Sequence, residues 1–417
     1  MIFIYTFALW LLLPYIFIHL FWRAYKQPDY LRNIGERFGF YSIHCNRPVI
    51  WLHCVSVGET RATNNLVNHL GEIYPNHQIL FTHSTPTGRS ASEQLFGGNV
   101  KRVYLPYDYP FSVKRFLNTF KPQLGILMET EIWINLIHSC HKRNIPLLLI
   151  NARLSEKSMR HYSRFANLSY IAMRELSAIS AQTAADASRF SLLGAQNVSV
   201  MGNLKFDIEP PSVMLELGKQ LRQQWGSNRP VLLAASTRDG EETLLLDAFN
   251  KINVPNLILV IVPRHPQRFT EVSKLIKQHG FKFQRRSDNH SLSEEIQIVL
   301  GDSMGEMFAY FVAADLAFVG GSLLPYGGQN LIEACAVGTP VLVGPHMYNF
   351  TDVAQRAVLA GAAIQVNDIS DFVTQAQALF QNPDALHYMG KHGVEFVNSN
   401  IGATKKSLLL IKQHLVI

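Results

Sequence analysis

Three glutamates of this 417-residue sequence stand where apolar stretches end. Glu59 follows VIWLHCVSVG, and Glu129 and Glu131 lie in ILMETEIW. A carboxylate at such a place can cap the following helix, because a helix N-terminus stabilises an anion. It can equally serve as a general base that takes the proton of an acceptor hydroxyl. Local sequence leaves both interpretations of Glu59 open, and we expect Gly58 to let the backbone turn so that the carboxylate faces a cleft.

The second half of the chain carries residue types that suit a phosphate. Arg264 lies in Pro-Arg-His-Pro and offers a planar fork of donors to an anion. The segment SMGEM, residues 303–307, places backbone amides at a predicted helix start. The glycine-rich VGGSLLPYGGQNLIEA lets a ligand approach the backbone and presents Asn330 and Glu333 to a ribose. These features predict a nucleotide site, with Lys205 of GNLKFD as a further cation, while helix caps and surface cations remain the alternatives.

Several metal and cofactor motifs are absent from the sequence. There is no GxGxxG after a first strand and no P-loop lysine motif, so a dinucleotide or P-loop enzyme is disfavoured. No Asp-x-Asp occurs, and the four cysteines lack the spacing of metal ligands. We therefore expect neither a metal nor a cofactor at the site.

Beyond residue 47, short runs rich in Val, Ile and Leu alternate with helix-length segments, as in parallel sheets covered on both faces. The first runs are VIWLHCVS, QILFTHS, KRVYLPY, QLGILME, IPLLLINAR, SAISAQ and VSVMGN. A seam with prolines near both ends follows at 207–230, and then come VLLAAST, NLILVIVPRHP, IQIVLGD, LAFVGGS and PVLVGP. The pattern predicts two Rossmann-like α/β domains facing a cleft, at residues 23–206 and 207–417, and the last helix can pack back on the first domain.

Residues 1–22, MIFIYTFALWLLLPYIFIHLFW, contain no Asp, Glu, Lys or Arg. As one helix they would reach about 33 Å, enough to cross a bilayer core. Basic residues follow between Arg23 and Arg37, which by the positive-inside rule leaves the rest of the chain in the cytoplasm. We expect a membrane-anchor helix that either spans the bilayer or lies in its interface.

The formal net charge of +7 suits anionic partners without choosing among nucleic acid, phospholipid and a phosphorylated substrate. The segment 142–174 holds seven Lys or Arg and one acidic residue, Glu156. It is either a solvated helix face or a surface for anionic lipid or a phosphorylated lipid substrate.

Ten segments occur in an order that is characteristic of one enzyme family: WLHCVSVGET, YLPYD, METEIWINLI, NARLS, GNLKFD, STRDGEE, IVPRHPQRF, GDSMGEM, ADLAFVGGS and VGPHMYNF. Through them the chain resembles the Kdo transferases, membrane-associated enzymes that move the acidic sugar Kdo from CMP-Kdo to a lipid A precursor. The resemblance implies a GT-B glycosyltransferase with an acceptor-binding N-terminal domain and a CMP-Kdo-binding C-terminal domain. It further implies an inner-membrane location with both domains on the cytoplasmic side, contact with anionic lipid, no cofactor and no nucleic acid.

The resemblance also implies roles for individual residues. Glu59, in the SVGE segment, is the expected general base for direct displacement with inversion at the anomeric carbon of Kdo. Glu129 and Lys205 are expected to stabilise the transition state. The expected CMP contacts are Pro263, Arg264, Met304, Gly305, Glu306, Asn330, Leu331, Ile332 and Glu333.

One segment departs from the family pattern. Family members commonly have GGHNPLE where this chain has GGQNLIE, so Gln329 replaces a histidine and Leu331 a proline. Two other functions stay open on the sequence: another CMP-sugar glycosyltransferase, such as a sialyltransferase, and a membrane-tethered lipid-binding protein with a degenerate site.

Overall fold

The computed structural model describes residues 1–415, which form two compact units. The first unit comprises Met1–Asp207 and the chain from Ile401 onward, and the second comprises Ile208–Asn400. Each unit is built on one seven-stranded sheet whose strand pairs are parallel. The prediction of two Rossmann-like α/β domains is therefore confirmed.

The sheet of the first unit has the strand order β3-β2-β1-β4-β5-β6-β7. Its strands are β1 (Val49–His53), β2 (Gln78–His83), β3 (Lys101–Tyr104), β4 (Pro122–Met128), β5 (Leu147–Ala152), β6 (Ala178–Ala181) and β7 (Val198–Val200). The helices before and between them are α1 (Ile2–Leu11), α2 (Leu13–Lys26), α3 (Val57–Ala62), α4 (Asn64–Ile73), α5 (Pro86–Phe96), α6 (Pro110–Phe120), α7 (Ile134–Lys142), α8 (Glu156–Ser163), α9 (Ala166–Glu175) and α10 (Ala184–Leu192).

The sheet of the second unit has the strand order β10-β11-β9-β8-β12-β13-β14. Its strands are β8 (Val231–Thr237), β9 (Ile258–Pro263), β10 (Phe283–Arg285), β11 (Ile298–Leu300), β12 (Leu316–Val319), β13 (Val341–Val343) and β14 (Ala363–Gln365). Its helices are α11 (Ser212–Trp225), α12 (Glu241–Phe249), α13 (Phe269–Gln278), α14 (Met307–Ala313), α15 (Ile332–Ala336), α16 (Thr351–Leu359), α17 (Ile369–Phe380) and α18 (Pro383–Asn398).

Strand β1 shows why the apolar runs of the sequence form buried strands. All five of its side chains are buried, and successive side chains point to opposite faces of the sheet. Val49 and Trp51 join a core with α6 and α7, whereas Ile50 and Leu52 join a core with α4 and the last helix, α19 (Ala403–His414). Helices on both faces thus fix the sheet and the loops at its carboxyl ends.

The apolar N-terminus forms two helices, so the expectation of one helix through residues 1–22 is wrong. Helices α1 and α2 meet at Leu12, and Pro14 lies in the first turn of α2. Proline lacks an N–H and clashes with the carbonyl four residues earlier, which interrupts a helix. No single helix in residues 1–415 is long and apolar enough to cross a membrane, although α1 and α2 together pass on length and composition as a pair bent by 53°.

Polar contacts join α1 to the rest of the first unit. The Tyr5 hydroxyl donates to Asp108 Oδ2 at 2.9 Å, and the Tyr109 hydroxyl donates to the carbonyl of Leu9 at 2.7 Å. All side chains of α1 nevertheless remain at least partly exposed. The helix therefore lies against the domain and still presents apolar surface.

Candidate active site

Glu59 lies in the first turn of α3, directly after β1. The Ser56 hydroxyl accepts from the Glu59 N–H at 3.2 Å, and Glu59 Oε1 accepts from the Ser56 hydroxyl at 2.7 Å and the Ser56 N–H at 3.2 Å. Glu59 Oε2 accepts from the Val55 N–H at 2.8 Å. This reciprocal pair is a capping box, so the carboxylate does cap its helix.

The structure corrects the expected role of Gly58. The residue lies inside α3 without a positive φ, and the chain turns earlier, between Cys54 and Ser56. Apart from its chain neighbours and the backbone of its own helix, a Cβ at Gly58 would meet the Ser56 hydroxyl oxygen at 3.8 Å, an ordinary contact. The glycine therefore does not provide the turn.

Burial governs the pKa of the Glu59 carboxyl group, because the residue is only 8% exposed. Burial raises its pKa, and the negative charge of Glu129 raises it further. The hydrogen bonds from Val55 and Ser56 lower the pKa without cancelling the rise. A carboxylate with a raised pKa is a stronger proton acceptor, which suits a general base.

Glu129 and Lys205 form an ion pair at the carboxyl end of the same sheet. Glu129 follows β4 and has a left-handed backbone, with φ of 59°, which is strained in a residue with a side chain. Its Oε1 lies 3.4 Å from Lys205 Nζ. Two backbone hydrogen bonds fix the position of Lys205. Its N–H donates to Asn203 Oδ1 at 3.0 Å, and the N–H of the preceding Leu204 donates to Asn151 Oδ1 at 3.0 Å. The sequence-predicted Glu59, Glu129 and Lys205 are thus brought to one edge of one sheet.

His53 and Glu131 belong to the same cluster, and sequence reasoning gave His53 no role. His53 is fully buried at the end of β1, and its Nδ1 is hydrogen-bonded to Thr82. Its Nε2 lies 3.6 Å from Glu131 Oε2, which accepts from Trp133 Nε1 at 2.8 Å. The signal in the sequence was a histidine inside an apolar strand, six residues before Glu59.

In the second unit, arginines gather at the ends of β8 and β9. The Arg264 N–H donates to the carbonyl of Thr237 at 3.0 Å, which joins the two strand ends after the buried Pro263. Burial lowers the pKa of His265, and the charges of Arg238, Arg264 and Arg268 lower it further, so all three guanidinium groups act on that ring.

The three arginines differ in their partners. Arg268 pairs with the fully buried Glu242 at 2.8 Å and with Asp239 at 3.0 Å. Within residues 1–415, Arg238 has no carboxylate at ion-pair distance and lies 4.8 Å from the centre of the Tyr326 ring. Sequence reasoning missed Arg238, although the residue stands in the conspicuous STRDGEE segment at the end of β8.

A buried carboxylate shapes the glycine-rich turn that follows β12. Glu241 is fully buried and accepts from the N–H groups of Gly321 at 2.6 Å, Arg238 at 2.9 Å and Leu323 at 3.1 Å. A Cβ at Gly320 would lie 2.6 Å from the carbonyl oxygen of Ser236. Close backbone packing therefore requires glycine at 320, and a φ of 72° favours it at 321. Glu241 was a further residue that the sequence did not single out.

The segment 303–307 follows β11. Gly305 has φ of 83°, Met304 is 57% exposed, and α14 begins only at Met307. Glu306 Oε2 accepts from the Ser303 hydroxyl at 2.6 Å and lies 3.2 Å from Arg286 Nε. The side chain of Glu306 is thus engaged within the protein, while the loop before α14 presents its backbone.

The segment 330–333 is arranged around Asn330. The Asn330 side chain accepts from the Ile332 N–H at 3.1 Å and donates to Glu333 Oε1 at 3.1 Å. Leu331 and Ile332 are fully buried, so their side chains belong to the core and only their backbone is suited to contact a ligand. The expected CMP-contact residues lie at or after the carboxyl ends of β9, β11 and β12. In the sheet β9 and β12 flank β8, and β11 lies beside β9.

Comparison with known proteins gives the family. Residues 32–208 match the family model of 3-deoxy-D-manno-octulosonic-acid transferases, and residues 227–396 match that of group 1 glycosyl transferases. The 3-deoxy-D-manno-octulosonic acid transferase of Haemophilus influenzae is 38% identical over 99% of this chain and 98% of its own. The chain belongs to the 3-deoxy-D-manno-octulosonic acid (Kdo) transferase family. The Kdo transferase of Bordetella pertussis is 37% identical and covers 97% of both chains.

A solved structure agrees on the fold. The crystal structure of a glycosyltransferase from Rickettsia africae aligns with 89% of this Kdo transferase and 99% of its own chain, at a TM-score of 0.57 and 15% identity. The predicted GT-B-like architecture and the glycosyltransferase class are confirmed. The roles of the individual site residues remain predictions.

The support that Glu241 gives to the glycine turn can be measured in this Kdo transferase. Glu241→Ala should lower the free energy of unfolding of the second unit by about 3 kcal/mol, because buried N–H donors would lose their acceptor at about 1–3 kcal/mol each. Urea unfolding measures the loss. Asp239→Ala, at a neighbouring exposed carboxylate, is the control and should change stability by less than about 1 kcal/mol. Equal losses in the two variants would contradict the account.

Proposed function

We propose that this Kdo transferase moves Kdo from CMP-Kdo to a lipid A precursor at the membrane surface. The observation that carries the proposal is the Glu59 carboxylate, which is buried, has a raised pKa and lies beside the Glu129–Lys205 pair. Burying a carboxylate costs free energy. A lipid-binding protein with a degenerate site would gain nothing from a buried charged cluster that offsets this cost. The family membership supports the choice of Kdo as the sugar.

In the proposed reaction the acceptor hydroxyl attacks the anomeric carbon of Kdo. The oxygen–carbon bond forms while the bond from carbon to the CMP phosphate oxygen breaks, with inversion. Glu59 takes the proton of the hydroxyl, which is worth about 10²–10⁴ in rate for a positioned base. Lys205 contributes a cation that stabilises the transition state, and Glu129 holds that cation at 3.4 Å.

The second unit supplies the donor site in this proposal. Arg264 and Arg238 offer guanidinium groups to the CMP phosphate, and the backbone from Met304 to Glu306 offers amides. Asn330 and Glu333 present an amide and a carboxylate to the ribose, while Pro263, Leu331 and Ile332 contribute through their backbone. Loss of one preorganised donor in such a site costs about 10²–10³ in rate. In this chain Gln329 and Leu331 stand where the family commonly has histidine and proline, and Asn330 and Glu333 are still hydrogen-bonded to each other.

We further propose an inner-membrane location with the catalytic units on the cytoplasmic side. The bent pair α1–α2 carries large exposed apolar side chains, among them Phe3 at 81% and Tyr25 at 90%. Helix α8 has no buried residue and belongs to the basic segment 142–174, which suits anionic lipid. Both features place apolar and basic surface on the first unit, which is the expected acceptor-binding unit.

The product identifies both substrates. Purified enzyme is incubated with CMP-Kdo and lipid A precursor, and the lipid is analysed by mass spectrometry; we expect a mass gain equal to one or more Kdo residues. The same reaction with CMP-sialic acid tests the alternative donor. A product with the sialic acid only, or no product from either donor, would refute the proposed function.

The two roles of Glu59 can be separated by mutation. Glu59→Gln should lower the transfer rate about 10²–10⁴-fold with CMP affinity retained, because the amide cannot take a proton. Ser56→Ala removes the helix cap and keeps the carboxylate, so it should cost about 1 kcal/mol of stability and reduce transfer far less. Steady-state rates, thermal unfolding and CMP titration are measured for both. Similar rates for the two variants would assign Glu59 to capping alone.

The rate should depend on pH through Glu59. Because the base acts only when ionised and burial raises its pKa, kcat/KM should fall as the pH drops through a value above that of an ordinary glutamate, about 4.3. Ser56→Ala removes a hydrogen bond that lowers this pKa, so the acidic limb should move to higher pH. The pH profiles of the two enzymes are compared on the same substrates. If the acidic limb of the Ser56→Ala profile moves to lower pH instead, the predicted direction of the pKa shift is wrong.

A further inference from the structure

A pocket of about 210 Å³ opens in the first unit between α2 and the loops after β2, β3 and β4. This pocket, here named the Arg37 pocket, is lined by basic and aromatic side chains that include His19, Arg23, Tyr30, Arg37, Tyr107 and Trp133. Pockets that enclose a whole small-molecule ligand measure about 300–1,000 Å³. The size therefore suits a single headgroup.

Arg37 is a buried cation without an anionic partner. Its residue is 4% exposed, and within residues 1–415 no carboxylate lies at ion-pair distance from it. Its Nη2 donates to the carbonyl of Ser84 at 3.1 Å, while its buried Nε donates to no acceptor in the described chain. The adjacent Glu36 pairs instead with Arg89 at 2.7 Å. Burying a charge without a counter-ion is unfavourable, so an anionic ligand would complete this arrangement.

Arg23 and Tyr107 add donors from two other elements. The guanidinium of Arg23, on α2, lies 5.1 Å from the centre of the Tyr30 ring. Burial raises the pKa of Tyr107, and the charges of Arg37 and Arg23 oppose the rise, so both guanidinium groups act on that hydroxyl. Arg23 and Arg37 both line the pocket with Tyr107, and they provide the charged, forked donors that bind phosphate.

The surroundings of the pocket suit a lipid. Helix α2, which lines the pocket, and the preceding α1 expose large apolar side chains, including Phe7 at 57%, Leu11 at 68% and Ile18 at 68%. Contiguous exposed apolar surface marks a site for a membrane or another apolar partner. A phosphate pocket beside such a surface fits an amphiphile whose phosphate is bound and whose chains stay in the lipid phase.

Hydrogen-bonded residues link the pocket to the cluster around Glu59. Trp133 lines the pocket, and its Nε1 donates to Glu131 Oε2 at 2.8 Å. The carbonyl of Ser84 accepts from Arg37. The next residue is Thr85, and its hydroxyl donates to the carbonyl of Val55 at 2.7 Å. Val55 in turn donates to Glu59. The pocket and the cluster therefore both draw on the loops that follow strands of the same sheet.

We propose that the Arg37 pocket binds a phosphate of the glycolipid acceptor and so positions the acceptor hydroxyl at Glu59. This subsite rests on the proposed function, since it presumes a phosphorylated lipid acceptor. A bilayer phospholipid carries the same phosphate chemistry, and the hydrogen-bonded link to Glu131 and Val55 favours the acceptor.

The test compares the phosphorylated lipid A precursor with the same glycolipid after phosphatase treatment, at saturating CMP-Kdo in detergent. Arg23→Ala changes an exposed side chain, and Arg37→Lys keeps the positive charge but loses the forked donors of the guanidinium group. The matched control is Arg32→Ala, because the Arg32 side chain is 81% exposed and paired with Asp29. Arg23→Ala and Arg37→Lys should raise KM for the phosphorylated acceptor about tenfold or more with little change in kcat, since a hydrogen bond to a charged group is lost. Neither variant should change KM for the dephosphorylated acceptor, and the control should change neither.

Equal increases on both acceptors, or none on either, would overturn the subsite. Sedimentation with phosphatidylcholine vesicles containing phosphatidic acid separates the sources of phosphate. If Arg23→Ala weakens vesicle binding and leaves the acceptor KM unchanged, the pocket binds a bilayer lipid and the acceptor assignment is wrong. Absence of transfer by the unmutated enzyme refutes the proposed function instead. The pocket is then tested with vesicles that contain the phosphorylated glycolipid, where weaker binding of Arg23→Ala supports the subsite and equal binding overturns it.

Discussion

A buried carboxylate that accepts backbone N–H groups shapes a loop of the candidate site in each unit. Glu59 fills this position after β1 and Glu241 fills it after β8, the strand at the centre of the second sheet. A buried carboxylate is costly unless it is hydrogen-bonded, and the N–H groups of a loop are costly unless they have an acceptor. Each carboxylate and its loop therefore stabilise one another, and the neighbouring site residues depend on that arrangement.

The two carboxylates differ in what remains available for chemistry. Glu241 is fully buried, and its hydrogen bonds from Gly321, Leu323 and Arg238 occupy it within the protein. Glu59, by contrast, keeps a small exposure of 8%. The same arrangement thus gives a structural residue in the second unit and the proposed base in the first unit. For Glu59, capping and catalysis are compatible, because the donors that fix its orientation leave its pKa raised.

The sequence predicted the features that depend on local pattern. Each of the twelve apolar runs contains a strand, and central strands such as β1 and β2 are fully buried. The edge strands β10 (FQR) and β14 (AIQ) are short and partly polar, so no apolar run marked them. The N-terminal helix was predicted as one unit because its hydropathy is continuous, whereas Pro14 interrupts the hydrogen bonds without changing the hydropathy.

The site was predictable only in part. Glu59, Glu129 and Lys205 fall in recognisable segments, and the parallel sheet brings them to one edge. The contributions of Arg238 and Glu241 depend on which loops meet in space, and neither residue type nor spacing reveals that. Leu331 and Ile332 show the converse: they stand in a binding segment, yet tertiary packing buries their side chains.

The pKa of Glu59 itself tests the central claim most directly. In enzyme labelled with ¹³C at the glutamate carboxyl, Glu59→Gln assigns the resonance and a pH titration follows its ionisation. The account predicts an apparent pKa above that of an ordinary glutamate and equal to the acidic limb of kcat/KM. A pKa at or below the ordinary value, or one unrelated to the rate, would show that Glu59 is a helix cap and that another group takes the proton.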